Sequence, residues 1–167
     1  MIIIGELINA SRKAIGPAIE EKNAEEIRRV ALAQVEAGAD YVDVNAGTFV
    51  GQEADYMTWL VETVQQEVKA PCCIDSPDPA VIEAALAVHS GDVPPMLNSI
   101  SLEKERYDAL LPLVAGSELK VVALCMSDEG MPETAEQRLA IADKLVNGLI
   151  RNNVALENIY VDPLVQP

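Results

Sequence analysis

The feature that most constrains this chain is an alternation of two patterns. Short β-branched or apolar runs recur, and each is followed by a longer stretch with helical periodicity. The runs Ile2–Ile4, Tyr41–Asn45, Cys72–Asp75, Met96–Ser99, Lys120–Cys125 and Ile159–Asp162 are nearly continuous in apolar character, as expected of strands buried on both faces. Between them, Ile27, Val30, Ala31 and Val35 form one helical face, and Met57, Leu60, Val61, Val64 and Val68 another. A third helix is predicted over Ala80–Val88, with Asp78 as N-cap and Pro79 at its first position. A fourth is predicted from about Leu102 to Leu113 with Ser101 as cap. The fifth carries Leu139, Ala142, Leu145, Val146 and Leu149 behind a Thr134/Gln137 capping box. Repeated β-α units of this kind predict a parallel sheet with right-handed crossovers.

Two architectures satisfy that pattern: an open doubly wound sheet and a (β/α)8 barrel. No G-x-G-x-x-G fingerprint follows the first strand, which lowers the doubly wound reading. Six strand runs are countable, whereas a closed barrel has eight. Length and composition agree with one globular α/β domain over residues 1–167: 50% of residues are hydrophobic and 23% charged. Lys plus Arg number 12 against 27 Asp plus Glu, a formal net charge of −15. That balance predicts no nucleic-acid partner and no anionic membrane partner, though a local basic site remains compatible with it. No run approaches a membrane span, and Met1-Ile2-Ile3-Ile4-Gly5-Glu6 lacks the basic start of a signal peptide. The expected location is the cytoplasm. Cys72, Cys73 and Cys125 are read as buried thiols, and His89 as a cationic partner of a helix C-terminus. No zinc-ligand spacing is visible.

Parallel β/α proteins do their chemistry at the carboxyl ends of the strands. Read in order, those ends offer Glu6 and Asn9, then Asp43 and Asn45, then Asp75 and Ser76, then Asn98 and Ser99, then Met126, and finally Asp162. Core strands have no packing reason to end in Asp or Asn, and buried polar groups must be hydrogen-bonded. Singly, each has a plain alternative: Asp75 and Asn45 as turn residues, Asn98 as a loop support, Asp162 as a strand terminator before Pro163. Together they describe an acceptor-rich mouth. A carboxylate accepts two parallel N–H bonds from an amidine-like edge, and a 2-amino-4-oxo pterin ring presents such an edge. Mg²⁺ or Ca²⁺ is the competing ligand class for an acidic mouth.

At these residues the sequence resembles the pterin-binding methyltransferases that move a methyl group between tetrahydrofolate and a corrinoid protein. The matching segments are Ile4-Gly5-Glu6-Leu7-Ile8-Asn9, Asp43-Val44-Asn45-Ala46-Gly47, Cys73-Ile74-Asp75-Ser76, Met96-Leu97-Asn98-Ser99 and Tyr160-Val161-Asp162-Pro163-Leu164. The segment Ala123 to Pro132 is similar to the subgroup serving glycine betaine demethylation. The resemblance implies a (β/α)8 TIM-barrel-type fold of which this chain carries about six β/α units. It also implies a homodimer when full length, with tetrahydrofolate or 5-methyltetrahydrofolate as substrate and cobalamin carried by a partner corrinoid protein. Carried over position by position, Asp75, Asn98 and Asp162 hold the pterin, and Asp43 and Asn45 shape its pocket. Glu6, Asn9, Ser76, Ser99 and Met126 are further pocket positions. The family's Asn near N5 follows the seventh strand, so the resemblance places it, and the last two β/α units, beyond Pro167. Leu7 stands where many relatives carry Arg. Two alternatives stay open: a dihydropteroate synthase-like pterin enzyme, and a non-catalytic acidic metal-binding or interaction module.

Overall fold

The computed structural model describes residues 1–165, so the last two positions of the expected 1–167 domain lie outside the described residues. The chain folds as two compact units, Met1–Met96 and the residues from Leu97 onward.

The first unit contains strand β1 (Ile4–Asn9), helices α1 (Gly16–Glu20) and α2 (Ala24–Glu36), β2 (Tyr41–Asn45), α3 (Glu53–Gln65), β3 (Cys72–Asp75) and α4 (Pro79–Val88). Its strands lie in the order β1-β2-β3, all parallel. Ile27, Val30 and Ala31 of α2 are buried, as are Met57, Leu60, Val61 and Val64 of α3, which is the apolar face expected for each helix. Asp78 caps α4 by accepting the Ala80 N–H at 2.9 Å. The first strand departs from expectation. It starts at Ile4 rather than Ile2, and Ile2 and Ile3 are 39% and 45% exposed. Ile3 contributes a carbonyl that accepts from the Asp40 and Tyr41 N–H groups, but regular pairing starts one residue later, at Ile4↔Tyr41. The strand then runs on through Glu6 and Leu7 because a bulge absorbs them: Gly5 pairs with Val42 but Ile8 with Val44, so two residues face Asp43 alone. The short helix α1, with Pro17 in its first turn, is too brief to leave a periodic signal.

The second unit contains β4 (Met96–Leu102, which opens at the boundary), α5 (Lys104–Val114), β5 (Lys120–Ser127), α6 (Ala135–Arg151), a 3-10 turn (Leu156–Asn158) and β6 (Ile159–Asp162). Strand order again follows chain order, and β5 and β6 pair in parallel from Val121↔Ile159 to Leu124↔Asp162. The Thr134/Gln137 capping box is formed in full. Ser101 is not a helix cap: it is buried inside the longer β4, and its hydroxyl donates to Glu103 at 2.8 Å. The first N–H of α5 instead finds Asp128, which accepts from Lys104 N at 3.0 Å. The expected apolar face of α6 is also only half realised. Leu145 and Leu149 are fully buried, but Leu139 is 71% exposed.

Parallel strands alternating with helices, without the order reversal of a doubly wound sheet within either unit, make these six β/α units of a (β/α)8-type barrel. Among the described residues no helix is long and apolar enough to cross a membrane.

Candidate functional site at the strand ends

In the first unit, pairing register decides which side chains share a face. Asp43 pairs with Cys73, and Val44 with Ile74. Because side chains alternate along a strand, Asp43, Asn45, Cys73 and Asp75 lie on one face, while Val42, Val44, Cys72 and Ile74 fill the other. Asn45 reaches across the thirty-residue interval to Asp75, its Nδ2 donating to Asp75 Oδ2 at 2.7 Å. The amide is oriented by its own turn, since Asn45 Oδ1 accepts from Gly47 N at 2.9 Å. Asn45 therefore holds the Asn45-Ala46-Gly47 turn, the plain role its sequence position offered, and also steadies the Asp75 carboxylate. The turn after β3 is carried by neighbours of Asp75. Ser76 Oγ accepts from Asp78 N at 3.1 Å while donating to Glu53 at 2.6 Å, so this buried hydroxyl is engaged with the start of α3.

The thiol of Cys73 is buried on the face that carries Asp43 and Asp75. Burial pushes its pKa well above the ordinary thiol range, and Asp43 adds to the shift through its charge and a side-chain hydrogen bond. The charges of Asp75 and Glu6 add to it as well. Three strand-end carboxylates thus bear on one neutral thiol. Cys72, on the other face, is pushed up to about 12, chiefly by burial and then by Asp43, so both thiols are the inert, buried kind. Asp43 is 2% exposed. The bulge that carries Glu6 and Leu7 is pinned by a helix residue. Gln34 of α2, 6% exposed, accepts the Leu7 N–H at 2.8 Å through Oε1. Gly5 makes room for it, because a Cβ there would stand 2.6 Å from that oxygen. Asn9 supports the loop that follows β1, its Oδ1 accepting from Ser11 N at 3.0 Å and from the Ser11 hydroxyl at 2.7 Å.

In the second unit, Asn98 is half-buried and Ser99 buried on β4. Arg106 of α5 grips the Ser99 carbonyl with Nε at 3.0 Å and Nη2 at 2.5 Å. Met126 is half-buried near the end of β5. Asp162 ends β6 and accepts from Leu164 N at 2.8 Å, which is the terminator role open to it. Arg138 of α6 holds the same segment by donating to the Pro163 and Leu164 carbonyls at 3.0 and 3.3 Å. Asp162 also raises the pKa of Cys125, after burial. A groove of about 440 Å³ opens beside the β5–α6 loop, lined among others by Ser127, Glu129, Met131, Gln137 and Ile141. Sequence reasoning missed Gln34, Arg106 and Arg138, because helix residues that reach back to strand backbone carry no local signal. His89 differs from its expected role. Its ring accepts the Cys72 N–H at 3.4 Å, and burial lowers its pKa, so it is a neutral acceptor and not a cation at a helix end. Among the described residues no group of three His, Cys, Asp or Glu side chains is placed to hold a metal ion.

A β/α barrel-type chain whose strand ends carry Asp and Asn presents polar groups at the end of the sheet where proteins of this fold bind small molecules. Comparison with known proteins narrows that class, for residues 5–166 match the pterin binding enzyme family, and the chain belongs to it. It is 38% identical to a methylcorrinoid:tetrahydrofolate methyltransferase of Eubacterium limosum, over 99% of this chain and 61% of that protein. It is 29% identical to the methionine synthase of Mycobacterium tuberculosis, over 98% of this chain and 14% of that larger protein. Among solved structures it resembles dihydropteroate synthase of Xanthomonas albilineans in complex with 7,8-dihydropteroate, with a TM-score of 0.68 and 18% identity, covering 98% of this chain and 58% of that one. Dihydropteroate synthase of Vibrio fischeri gives a TM-score of 0.67 at 19% identity, covering 97% and 60%. These structural likenesses establish the fold. The chain spans about three fifths of the length of the first of these curated relatives.

Proposed function

We propose that this chain is the pterin-binding part of a methyltransferase that moves a methyl group between N5 of tetrahydrofolate and the cobalt of a corrinoid carried by a separate protein. The observation that carries the reading is the Asn45–Asp75 pair, with the buried Asp43 on the same face of the sheet, in a chain 38% identical to a relative named for that transfer. The donor set fits a pterin. An ionised carboxylate is acceptor-only, and the 2-amino and N3 positions of the ring present two parallel N–H donors. Asn45 supports Asp75 as an oriented carboxylate, because a hydrogen bond donated to the charged form favours it. Asn98 and Asp162 are assigned to the remaining ring edges, with Ser99, Met126, Asn9 and Ser76 as supporting positions.

When docked, the partner's corrinoid supplies a metal that can take up or release a methyl group. The residues of this chain bind and orient the ring, so that N5 and the methyl group are held in line. Charge develops on N5 during transfer, and fixed acceptors around the ring stabilise its protonated, electron-poor form. No covalent intermediate with the protein is required. Assembly as a homodimer and a cytoplasmic location belong to the same proposal.

Calorimetric titration of the intact protein with 5-methyltetrahydrofolate, beside the Asp75→Asn variant, tests the reading. Saturable binding that Asp75→Asn weakens by about tenfold or more is expected, since a hydrogen bond to a charged group contributes about 1.5–3 kcal/mol. Absence of binding by the folded wild-type protein would overturn it.

A further inference from the structure

Most loops that lead from a strand into a helix are neutral or acidic. Asp78, Glu103, Asp128, Glu129 and Glu133 are their acidic members, and the loop after β2 has no charged residue. The loop from β1 to α1 is the exception, because it carries Arg12 and Lys13 side by side, both exposed. Neither has an ion-pair partner among the described residues, whereas Arg29 pairs with Glu26 and Lys104 with Asp108. In a chain of net charge −15, two unpaired cations at the functional end of the sheet form a local field opposite to their surroundings.

The backbone fixes where they stand. Asn9 pairs in register with Asn45, and Ala10 N donates to the Asn45 carbonyl at 2.9 Å, so the loop leaves the sheet beside the residue that steadies Asp75. It is then closed on itself. Arg12 N donates to the Asn9 carbonyl at 3.0 Å, and the Arg12 carbonyl accepts from Ile15 N and Gly16 N at 3.2 and 2.8 Å. Ile15, 3% exposed, plugs the loop into the core, and a Cβ on Gly16 would stand 2.8 Å from the Ala10 carbonyl. Arg12 and Lys13 are thus displayed from a pre-shaped loop, which lowers the ordering cost of any contact they make.

We propose that Arg12 and Lys13 form the subsite for the anionic tail of the substrate, taking the carboxylates of the glutamyl chain that extends from the pterin ring. The inference rests on the pterin reading above and deepens it. The ring enters an acceptor-rich pocket, while the tail, whose charge the acidic surface would otherwise repel, finds the two cations of the adjoining loop. Arg offers a carboxylate a bidentate fork and Lys a point charge, so the pair suits a tail with several carboxylates better than one with a single acid.

The test uses the intact protein with three ligands: 5-methyltetrahydrofolate, its triglutamate form, and a tetrahydropterin without the aminobenzoyl-glutamate tail. An exposed charge contact contributes about two- to fivefold in affinity. The R12Q/K13Q double variant is therefore expected to weaken triglutamate binding by roughly tenfold and to leave the tailless pterin within about twofold. R12K/K13R, which keeps both charges, retains wild-type affinity. Raising the salt concentration reproduces the loss in the wild type. Unchanged triglutamate affinity in R12Q/K13Q overturns the tail assignment, and so does an equal loss for the tailless pterin, which would make the loop a support of the ring pocket. Failure of the wild type to bind even the tailless pterin overturns the underlying pterin reading instead.

Discussion

The Asn45–Asp75 bond permits a quantitative test of whether the strand-end set is a connected network. Asn45→Ala removes two bonds: Nδ2 to the Asp75 carboxylate at 2.7 Å and Gly47 N to Oδ1 at 2.9 Å. A hydrogen bond to a charged group contributes about 1.5–3 kcal/mol and a neutral one about 0.5–1.5. Asn45 and Asp75 are both half-buried, and the Gly47 bond is exposed, so water replaces part of each loss and the lower ends apply. The expected cost is about 2 kcal/mol, or a fall in Tm of roughly 4–8 °C for a chain of this size. Asp75→Ala and the double variant complete a cycle by denaturant unfolding, in which the pair should show a coupling of about 1–1.5 kcal/mol. A coupling below about 0.5 kcal/mol, the limit for independent sites, would refute the claim that Asn45 steadies Asp75. Asn45→Asp adds an arm of predictable sign. It sets two carboxylates together, raises their folded-state pKa values, and yields a variant whose deficit relative to wild type shrinks as pH falls.

Two further predictions probe other contacts. Gly5→Ala forces Gln34 off the Leu7 N–H, because the new Cβ would lie 2.6 Å from its Oε1 and 2.9 Å from its Cδ; the expected cost is about 1–3 kcal/mol, and denaturant unfolding of Gly5→Ala in a Gln34→Ala background should show much of that penalty already removed. The lowered pKa of His89, due to burial, means that the unfolded chain takes up the proton more readily, so this contribution to stability is intact above the unfolded value near 6.5 and is lost as pH falls through the folded value. His89→Gln, which keeps an acceptor for Cys72 N, should flatten that part of the stability–pH curve, and an unchanged curve would refute the role.

The parts of the fold that are legible in the sequence are those set by local pattern. β2, β3 and β6 have the bounds their apolar runs predict, and the Asp78 cap and Thr134/Gln137 box are local chemistry that forms as read. Sequence and structure part where a tertiary contact outweighs a local one. The apolar run Ile2–Ile4 reads as strand interior, but pairing with β2 starts at Ile4 and a bulge carries the strand through Glu6 and Leu7. Ser101 reads as a cap, but β4 continues through it and Asp128 satisfies the helix N–H from another loop.

The strand-end set poses a different problem, since the residues are visible in the sequence but their division of labour is not. Asn9 and Asn45 are the same residue type at paired positions. Yet Asn9 commits its side-chain oxygen to Ser11, while Asn45 splits its amide between Gly47 and Asp75. Nothing in a one-dimensional pattern separates them, because the difference is made by a partner thirty positions away. Physical cost distinguishes structure from function here. Turn-building explains Ser76, Asp78 and Asn9, whose polar atoms serve nearby backbone. It does not explain why Asp43, Asp75 and Glu6 should all act on a single buried thiol. Burying a carboxylate as deeply as Asp43, which is 2% exposed, opposes folding. A fold that sustains such a group, pins the adjoining bulge with Gln34 and orients one of its members with Asn45 is accepting that opposition for the sake of the site. The same reasoning extends to Arg12 and Lys13. Arg106 and Arg138 serve the fold by holding backbone carbonyls at strand ends, whereas Arg12 and Lys13 stand without an ion-pair partner among the described residues, on a loop that the backbone holds in place.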